Sequence, residues 1–461
     1  MINNSEKVFN KILNLTKVNK GNLKINSKDI KKGDIFVALK GKKFHGNRFI
    51  DDALKNKANK IITDKFISGY KSKIILVDNC IETLKNIGNY KRLNYRGKVI
   101  AVTGSVGKTS VKEQINHFLG LNFKTYSSIK SYNNNLGVNL SLANLDLNSE
   151  IAIFEIGTNN FGEIKSLTNL VKPNISVITN VAPTHLMNFK NIRNIEKEKS
   201  EIINSKHNTE LQDVIIPFEL SKKKIFIDKA RNCNLFTFSK KKGGDAYFKK
   251  LLNIKNEKFS VEAKIFKKII NYNLFLKGEH HAINSLISLL IFNILDINFS
   301  NFIKNAISLP NLSGRGRLHN LTINEKKIKL IDESYNASPL SMRETIKYFN
   351  NYPLKNIRKF LILGDMLELG NKEVSFHKDL KKYIKFNSYY QVITCGFLIK
   401  NLHKKCTHIN NILYFENESK LYNHLIKTIN NNDIVLVKCS NATSVNLFVK
   451  KLMNFKTKNR N

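Results

Sequence analysis

Residues 103–109 read TGSVGKT and follow directly on the apolar run KVIAVT at 98–103. An apolar run that ends in glycine, before a helical stretch from Lys108 to Leu119, predicts a strand, a tight turn and a helix. A turn of this composition is a phosphate loop. Gly104 and Gly107 let backbone N–H groups approach phosphate oxygens, and the next helix offers its positive end. Lys108 supplies a point charge for the outer phosphates, and Thr109 a hydroxyl for Mg2+. The common spacing G-x-x-x-x-G-K-[ST] would need glycine at 102, where this chain has Val102. The loop is of a shortened kind. Its candidate ATP contacts are Thr103, Gly104, Ser105, Val106 and Gly107, with Lys108, Thr109 and Ser110 opening the helix.

Outward from the loop, IAIF at 151–154 and ISVI at 175–178 are further apolar runs alternating with helical stretches. Continuous apolar strands of this sort predict a parallel sheet covered on both faces, hence an α/β class. Residues near 232–276 read as a hairpin-rich insertion turning at Gly243-Gly244, and LISLLIFNILDI at 286–297 as a buried helix, too short to span a bilayer. Shorter strands at 34–39, 61–63 and 74–77 make a small N-terminal unit. KLID at 329–332 and FLILG at 360–364 open a third, continued by QVIT at 391–394 and IVLV at 434–437. The expected domains are 1–95, 96–309 and 310–461.

Composition narrows the class. At 461 residues the chain exceeds one ordinary core, and 42% hydrophobic residues suffice to bury several. Five scattered cysteines without a CxxC pair suggest neither disulfides nor a zinc site. The net charge of +41 invites nucleic acid as a partner, but the lysines run throughout and form no aromatic-flanked stripe. No nucleic-acid partner and no membrane insertion are expected, and a cytoplasmic monomer is.

Four further places carry chemistry. Glu155 ends an apolar strand and would lie beside the loop if the two strands are neighbours; one carboxylate suffices for Mg2+ when phosphates supply the rest. His185 follows another strand, although a lone histidine is more often structural. Lys199 sits in the charged stretch EKEKSEI, where nothing in charge or spacing separates it from Lys197. Asp332 and Asn336 lie in IDESYNASP just past a strand, where a nucleotide could rest; Ser338 and Pro339 also read as a helix cap.

Together these motifs resemble the Mur ligases of peptidoglycan synthesis over essentially the whole chain. The resemblance is carried by TGSVGKTSVKE, YNNNLGV at 132–138, EIGTNNFGEI at 155–164, TNVAPTHL at 179–186 and KSEI at 199–202. GEHHAIN at 278–284, GRL at 316–318, DESYNASP at 332–339, LGDMLELG at 363–370 and KKGDIFVALKG at 31–41 complete it. It implies three domains: a UDP-substrate domain, a central P-loop-type parallel-sheet ATPase and a C-terminal Rossmann-like domain, hinged near Ser308–Gly314. It also implies ATP and Mg2+ as cofactors. Thr109, Glu155, His185 and a carbamylated Lys199 would hold metal, with Lys108 on the phosphates. His280 and Asn284 would contact adenine, and Arg317, Asp332, Tyr335 and Asn336 would close the nucleotide pocket. Ser27, Asn134 and Thr158 would face the substrate. DESYNASP and LGDMLELG are the most discriminating motifs among the sister ligases. They imply UDP-N-acetylmuramoyl-tripeptide and D-alanyl-D-alanine as substrates, rather than a single amino acid or a folate. KCSNA at 438–442 departs from the family's K-G-S-R at Cys439 and Asn441.

Overall fold

The computed structural model describes residues 4–18, 21–41, 43–70, 72–254, 258–275, 279–309, 314–352 and 357–458. Of the expected Ser308–Gly314 hinge, residues 310–313 lie outside the described residues.

Three sheets lie along the chain. The first has four parallel strands, Leu23–Lys24, Ile35–Ala38, Lys60–Thr63 and Ile74–Leu76, arranged in chain order. The central sheet has nine. Its parallel part runs Thr125–Ser127, Ile151–Glu155, Lys98–Thr103, Ile175–Ile178, Asp213–Pro217, Asn234–Ser239 and Ala246–Ile254 from edge to interior. The strand bearing the loop is thus central, with both neighbours parallel to it. All six of its residues but Lys98 are buried, as an apolar run in a doubly covered sheet must be.

The region near 232–276 corrects the expectation of an insertion. Asn234–Ser239 pairs parallel with Asp213–Pro217 and continues the sheet. Ala246–Ile254 adds parallel to Asn234–Ser239, and Lys258–Ile265 and Lys268–Phe275 then extend the sheet in antiparallel fashion. Lys258–Ile265 alternates less buried and buried residues along its whole length, so one face lies on the core. That face meets the helix Glu279–Ile294, in which Leu286, Ile287 and Leu289 to Phe292 have no exposed surface. Among the described residues no helix is long and apolar enough to cross a membrane.

The third sheet has the order Arg317–Ile323, Lys326–Glu333, Ile434–Lys438, Lys359–Leu363, Gln391–Cys395, Ile412–Phe415. Only its first pair is antiparallel. That hairpin turns through Asn324 and Glu325, both at positive φ (46° and 67°), which suits the strand twist. The last strand in the chain, Ile434–Lys438, inserts between Lys326–Glu333 and Lys359–Leu363, creating the crevice at which open α/β sheets hold ligands.

The N-terminal sheet shares its core with the central one. Leu140 and Ala143, from the central helix Asn135–Ala143, pack among Leu23, Ile35, Val37 and Leu84. The Asn144 side chain exchanges two hydrogen bonds with the Leu23 backbone, at 2.7 and 3.0 Å, as a neighbouring strand would.

The helix Lys108–Leu119 is seated by Val111, Ile115, Phe118 and Leu119, an i, i+4, i+7, i+8 stripe. Phe118 packs on Phe302 with ring centroids 4.1 Å apart and edge-on to Phe292. Phe118→Ala should destabilise the protein by about 3–5 kcal/mol. A urea midpoint unchanged from wild type would show that this stripe does not seat the helix.

Candidate active site

Backbone geometry shapes the loop. Gly107 caps the helix at φ 85°, in the left-handed region that glycine enters freely. A Cβ at Gly104 would lie 1.9 Å from Thr179 Oγ1, so no side chain fits there. The neighbouring TNVAPTHL segment braces the loop from below. Asn180 accepts from Ser105 N and Val106 N at 3.0 Å each, Thr179 Oγ1 donates to Val106 O at 2.7 Å, and Ser105 Oγ donates to Ala182 O at 2.8 Å. These bonds leave the loop pre-formed, so phosphate binding need not order it.

Strand register then brings in Glu155. It pairs across from Val102, so the two strands are immediate neighbours. Its carboxylate is 1% exposed and accepts from Thr109 Oγ1 at 2.7 Å and from Asn133 Nδ2 at 2.7 Å. A buried carboxylate requires compensating charge, and cations converge here. Lys108 donates to Gly104 O at 2.9 Å. Burial holds its amine below the ordinary lysine range; nearby Glu155 opposes that and Arg315 adds to it. Lys199 is 2% exposed, its amine held well below the usual range first by burial and then by the Lys108 ammonium. Lys108 and Arg315 beside one carboxylate leave a surplus of positive charge, suited to a polyanion.

Arg315 comes from the third domain. Its Nη2 donates to Thr109 Oγ1 at 2.9 Å, and its guanidinium lies 4.2 Å from the centroid of the Tyr335 ring. The Tyr335 hydroxyl meets Ser131 Oγ of the central domain. Arg317, the arginine expected in the pocket, begins the outer strand opposite Asp332, is exposed and does not line the cleft. Gly316, at φ 83°, turns the chain between the two arginines. Asp332 also lies beneath the cleft rather than on it. Its carboxylate accepts from Gly314 N at 3.1 Å and from Ser334 Oγ at 2.6 Å, and so fixes the turn that presents Arg315.

The cleft between the second and third domains has a volume of about 910 Å³. Of the expected residues, Ser105 to Ser110, Asn134, Glu155, Thr158, His185, Asn284, Tyr335 and Asn336 line it. Thr103 and Gly104 lie under the loop, and Lys199 sits behind it, close enough to Lys108 for their charges to interact. The side chain of His280 lies outside the described residues. Ser27 is buried in the N-terminal domain, in the short turn Ser27–Asp29 capped by Asn26, where Asp29 meets Lys130 at 2.6 Å, and is not on the cleft. Asn134 caps the helix Asn135–Ala143 through Gly137 N, and Thr158 Oγ1 donates to Asn160 O.

His185 adopts the left-handed region (φ 51°) and brings Nδ1 within 2.5 Å of Glu368 Oε2, off the line of a good hydrogen bond. Glu368 belongs to LGDMLELG, and His185 holds its carboxyl below the usual range. Met187 N also donates to Glu368 O at 3.3 Å. The third domain therefore touches the central one at both Thr109 and His185. In KCSNA, Lys438 Nζ pairs with Glu333 at 3.1 Å on the cleft floor, and Cys439 is fully buried where Gly364 leaves it room.

The Thr109 hydroxyl and Glu155 carboxylate are hard oxygen donors, as Mg2+ prefers. Among the described residues no three His, Cys, Asp or Glu side chains form a ready metal cage. A metal here would draw the rest of its ligands from phosphate and water.

A nucleotide-phosphate site completed by a second α/β domain defines the class: a multidomain ATP-dependent enzyme. Comparison with known proteins narrows it. The Mur ligase middle domain pattern matches residues 102–292, the Mur ligase glutamate ligase domain 316–441, and the Mur ligase family catalytic domain 21–83. The chain is 32% identical over 436 residues to the UDP-N-acetylmuramoyl-tripeptide–D-alanyl-D-alanine ligase of Rickettsia prowazekii, covering 94% of this chain and 95% of that one. MurF ligase from Thermotoga maritima in complex with ADP superposes with a TM-score of 0.74 at 27% identity, covering 95% and 98%. MurF from Acinetobacter baumannii, at 23% identity and a TM-score of 0.76, shares the fold, with the same coverage. The chain belongs to the Mur ligase family.

Lys108→Ala should abolish ATP-dependent turnover, and wild-type rates would remove the loop from the site. Arg315→Ala should lower kcat/KM for ATP by roughly 10²-fold or more, as loss of a preorganised cation does. Arg317→Ala should cost less. Equal losses would place both arginines on the nucleotide.

Proposed function

We propose that this protein is the ATP-dependent ligase that joins D-alanyl-D-alanine to UDP-N-acetylmuramoyl-tripeptide, giving the pentapeptide precursor of peptidoglycan. The observation that carries this is the cation cluster around Glu155, completed by Arg315 of the third domain. The relatives' shared name supplies the substrates.

A carboxylate does not accept an amine directly. The terminal carboxylate of the tripeptide attacks the γ-phosphorus of ATP, ADP leaves, and an acyl phosphate forms. The dipeptide amine then adds to that carbonyl, and phosphate departs as the amide forms. The first step brings two anions together and the second expels one, so positioning and charge neutralisation are what the protein must supply. Lys108 and Arg315 offset charge on the phosphates, and the loop N–H groups hold them in line. Bound at Thr109 and Glu155, Mg2+ would withdraw charge from the phosphoryl oxygens.

Lys199 fits a carbamate. As an ammonium it would repel both Lys108 and a cation. Burial and the Lys108 charge instead keep its amine well below the ordinary lysine range, so a neutral nucleophile is available to CO2. The carbamate is an anion and, with His185, would serve a second Mg2+. Asn134 and Thr158 line the cleft wall and would face the acceptor, and Ser27 would belong to the UDP-binding end.

A substrate panel tests the reaction. Phosphate release should require ATP, the UDP-tripeptide and D-alanyl-D-alanine together. Release with a free amino acid, and none with the dipeptide, would replace this reading with a sister ligase. Lys199→Ala should lose on the order of 10²–10³ in kcat, and CO2-depleted buffer should slow the wild type until bicarbonate is restored. Full activity in Lys199→Ala would remove the carbamate.

A further inference from the structure

One turn beyond the phosphate loop, Lys112 is fully buried, with no exposed side-chain surface. Its ammonium is held by two carbonyls and a carboxylate. It donates to Ser128 O at 2.6 Å and to Lys130 O at 2.5 Å, and pairs with Glu113 Oε1 at 2.9 Å. With no exposed surface and no place on the cleft wall, Lys112 does not itself touch substrate.

What it holds is the segment 128–134, and that segment reaches all three domains. Ser128 Oγ accepts from Glu155 N at 3.1 Å. Lys130, whose backbone sits at φ 50°, pairs with Asp29 of the N-terminal domain at 2.6 Å. Ser131 meets Tyr335 of the third domain. Asn133 donates to Glu155 Oε1, and Asn134 lines the cleft. The left-handed Lys130 backbone, which a lysine rarely adopts, turns at the carbonyl that Lys112 grips.

We propose that Lys112 is a positioning residue that fixes the acceptor wall of the cleft relative to the phosphate loop. One helix carries Lys108 and Thr109 on its first turn and Lys112 on its second. The phosphoryl donor and the segment facing the acceptor carboxylate are thus referred to one rigid element. The inference rests on the ligase reading above.

The test uses the full-length enzyme with Lys112→Met and Lys112→Arg. Each is assayed for kcat, for KM of UDP-tripeptide, for binding of a non-hydrolysable ATP analogue, and for phosphate released per amide formed. Lys112→Met should bind the analogue nearly as the wild type does and lose about 10²-fold in kcat, the scale of an ångström-size misplacement. It should also release more phosphate than amide, because water takes the γ-phosphoryl when the carboxylate is misplaced. Lys112→Arg keeps the charge and at least two donors, and should recover part of kcat and of the stoichiometry. A scaffold role alone would lower thermal stability without moving that ratio. Folded variants with wild-type kcat and equal phosphate and amide would overturn the proposal, as would failure of both variants to fold. A wild-type enzyme with no dipeptide-dependent turnover would overturn the ligase reading instead.

Discussion

Glu155 is a carboxylate removed almost wholly from water, and the site is arranged around that cost. An isolated buried charge of this kind is expensive enough to protonate or to unfold its surroundings. Here it is held by Thr109 and Asn133 and by nearby cationic charge. Each of those partners comes from a different piece of chain: the loop helix, the segment at 128–134, and the third domain through Arg315 on Thr109. The strand register of Val102 against Glu155 is what makes the meeting possible. A slip of one residue would turn the carboxylate to the other face of the sheet.

The same cluster explains why two domains are needed. The central domain alone presents Lys108, Lys199 and Glu155. Arg315 adds the charge that only the third domain can bring, stacked on Tyr335 and held by the turn that Asp332 fixes. Contact at Glu368 and His185 secures the same two domains at a second point. Bringing reactive groups from separate bodies lets the site admit large substrates and still exclude water once closed.

Much of this was legible in the sequence because it is local. Glycines at 104 and 107, the apolar run before them and the helix after them specify the loop without help from elsewhere. Ser338 and Pro339 cap their helix as read, with Ser338 accepting from Ser341 N. What was not legible depends on pairing across the chain. Arg315 and Arg317 are two residues apart and chemically identical. Which one enters the cleft follows from Gly316 and from the register of Arg317 with Asp332. Strands at 246–275 alternate like any hairpin, and nothing in that pattern says that they continue the central sheet. Asn133 carries no signal apart from its neighbours in YNNNLGV, and Lys112 looks like one solvated lysine among many until its burial is seen.

The bonds between Asn144 and Leu23 have a meaning for the order of synthesis. The first strand of the N-terminal sheet finds its outer partner in a side chain 121 residues further along. Leu140 and Ala143 complete the core that Leu23, Ile35 and Val37 begin. A nascent chain that has emerged only through the helix Cys80–Asn94 therefore holds four short strands with one edge bare and part of their cover missing. Domains generally fold as units as they leave the ribosome. This one is completed by its neighbour's helix, which ties its maturation to that of the central domain.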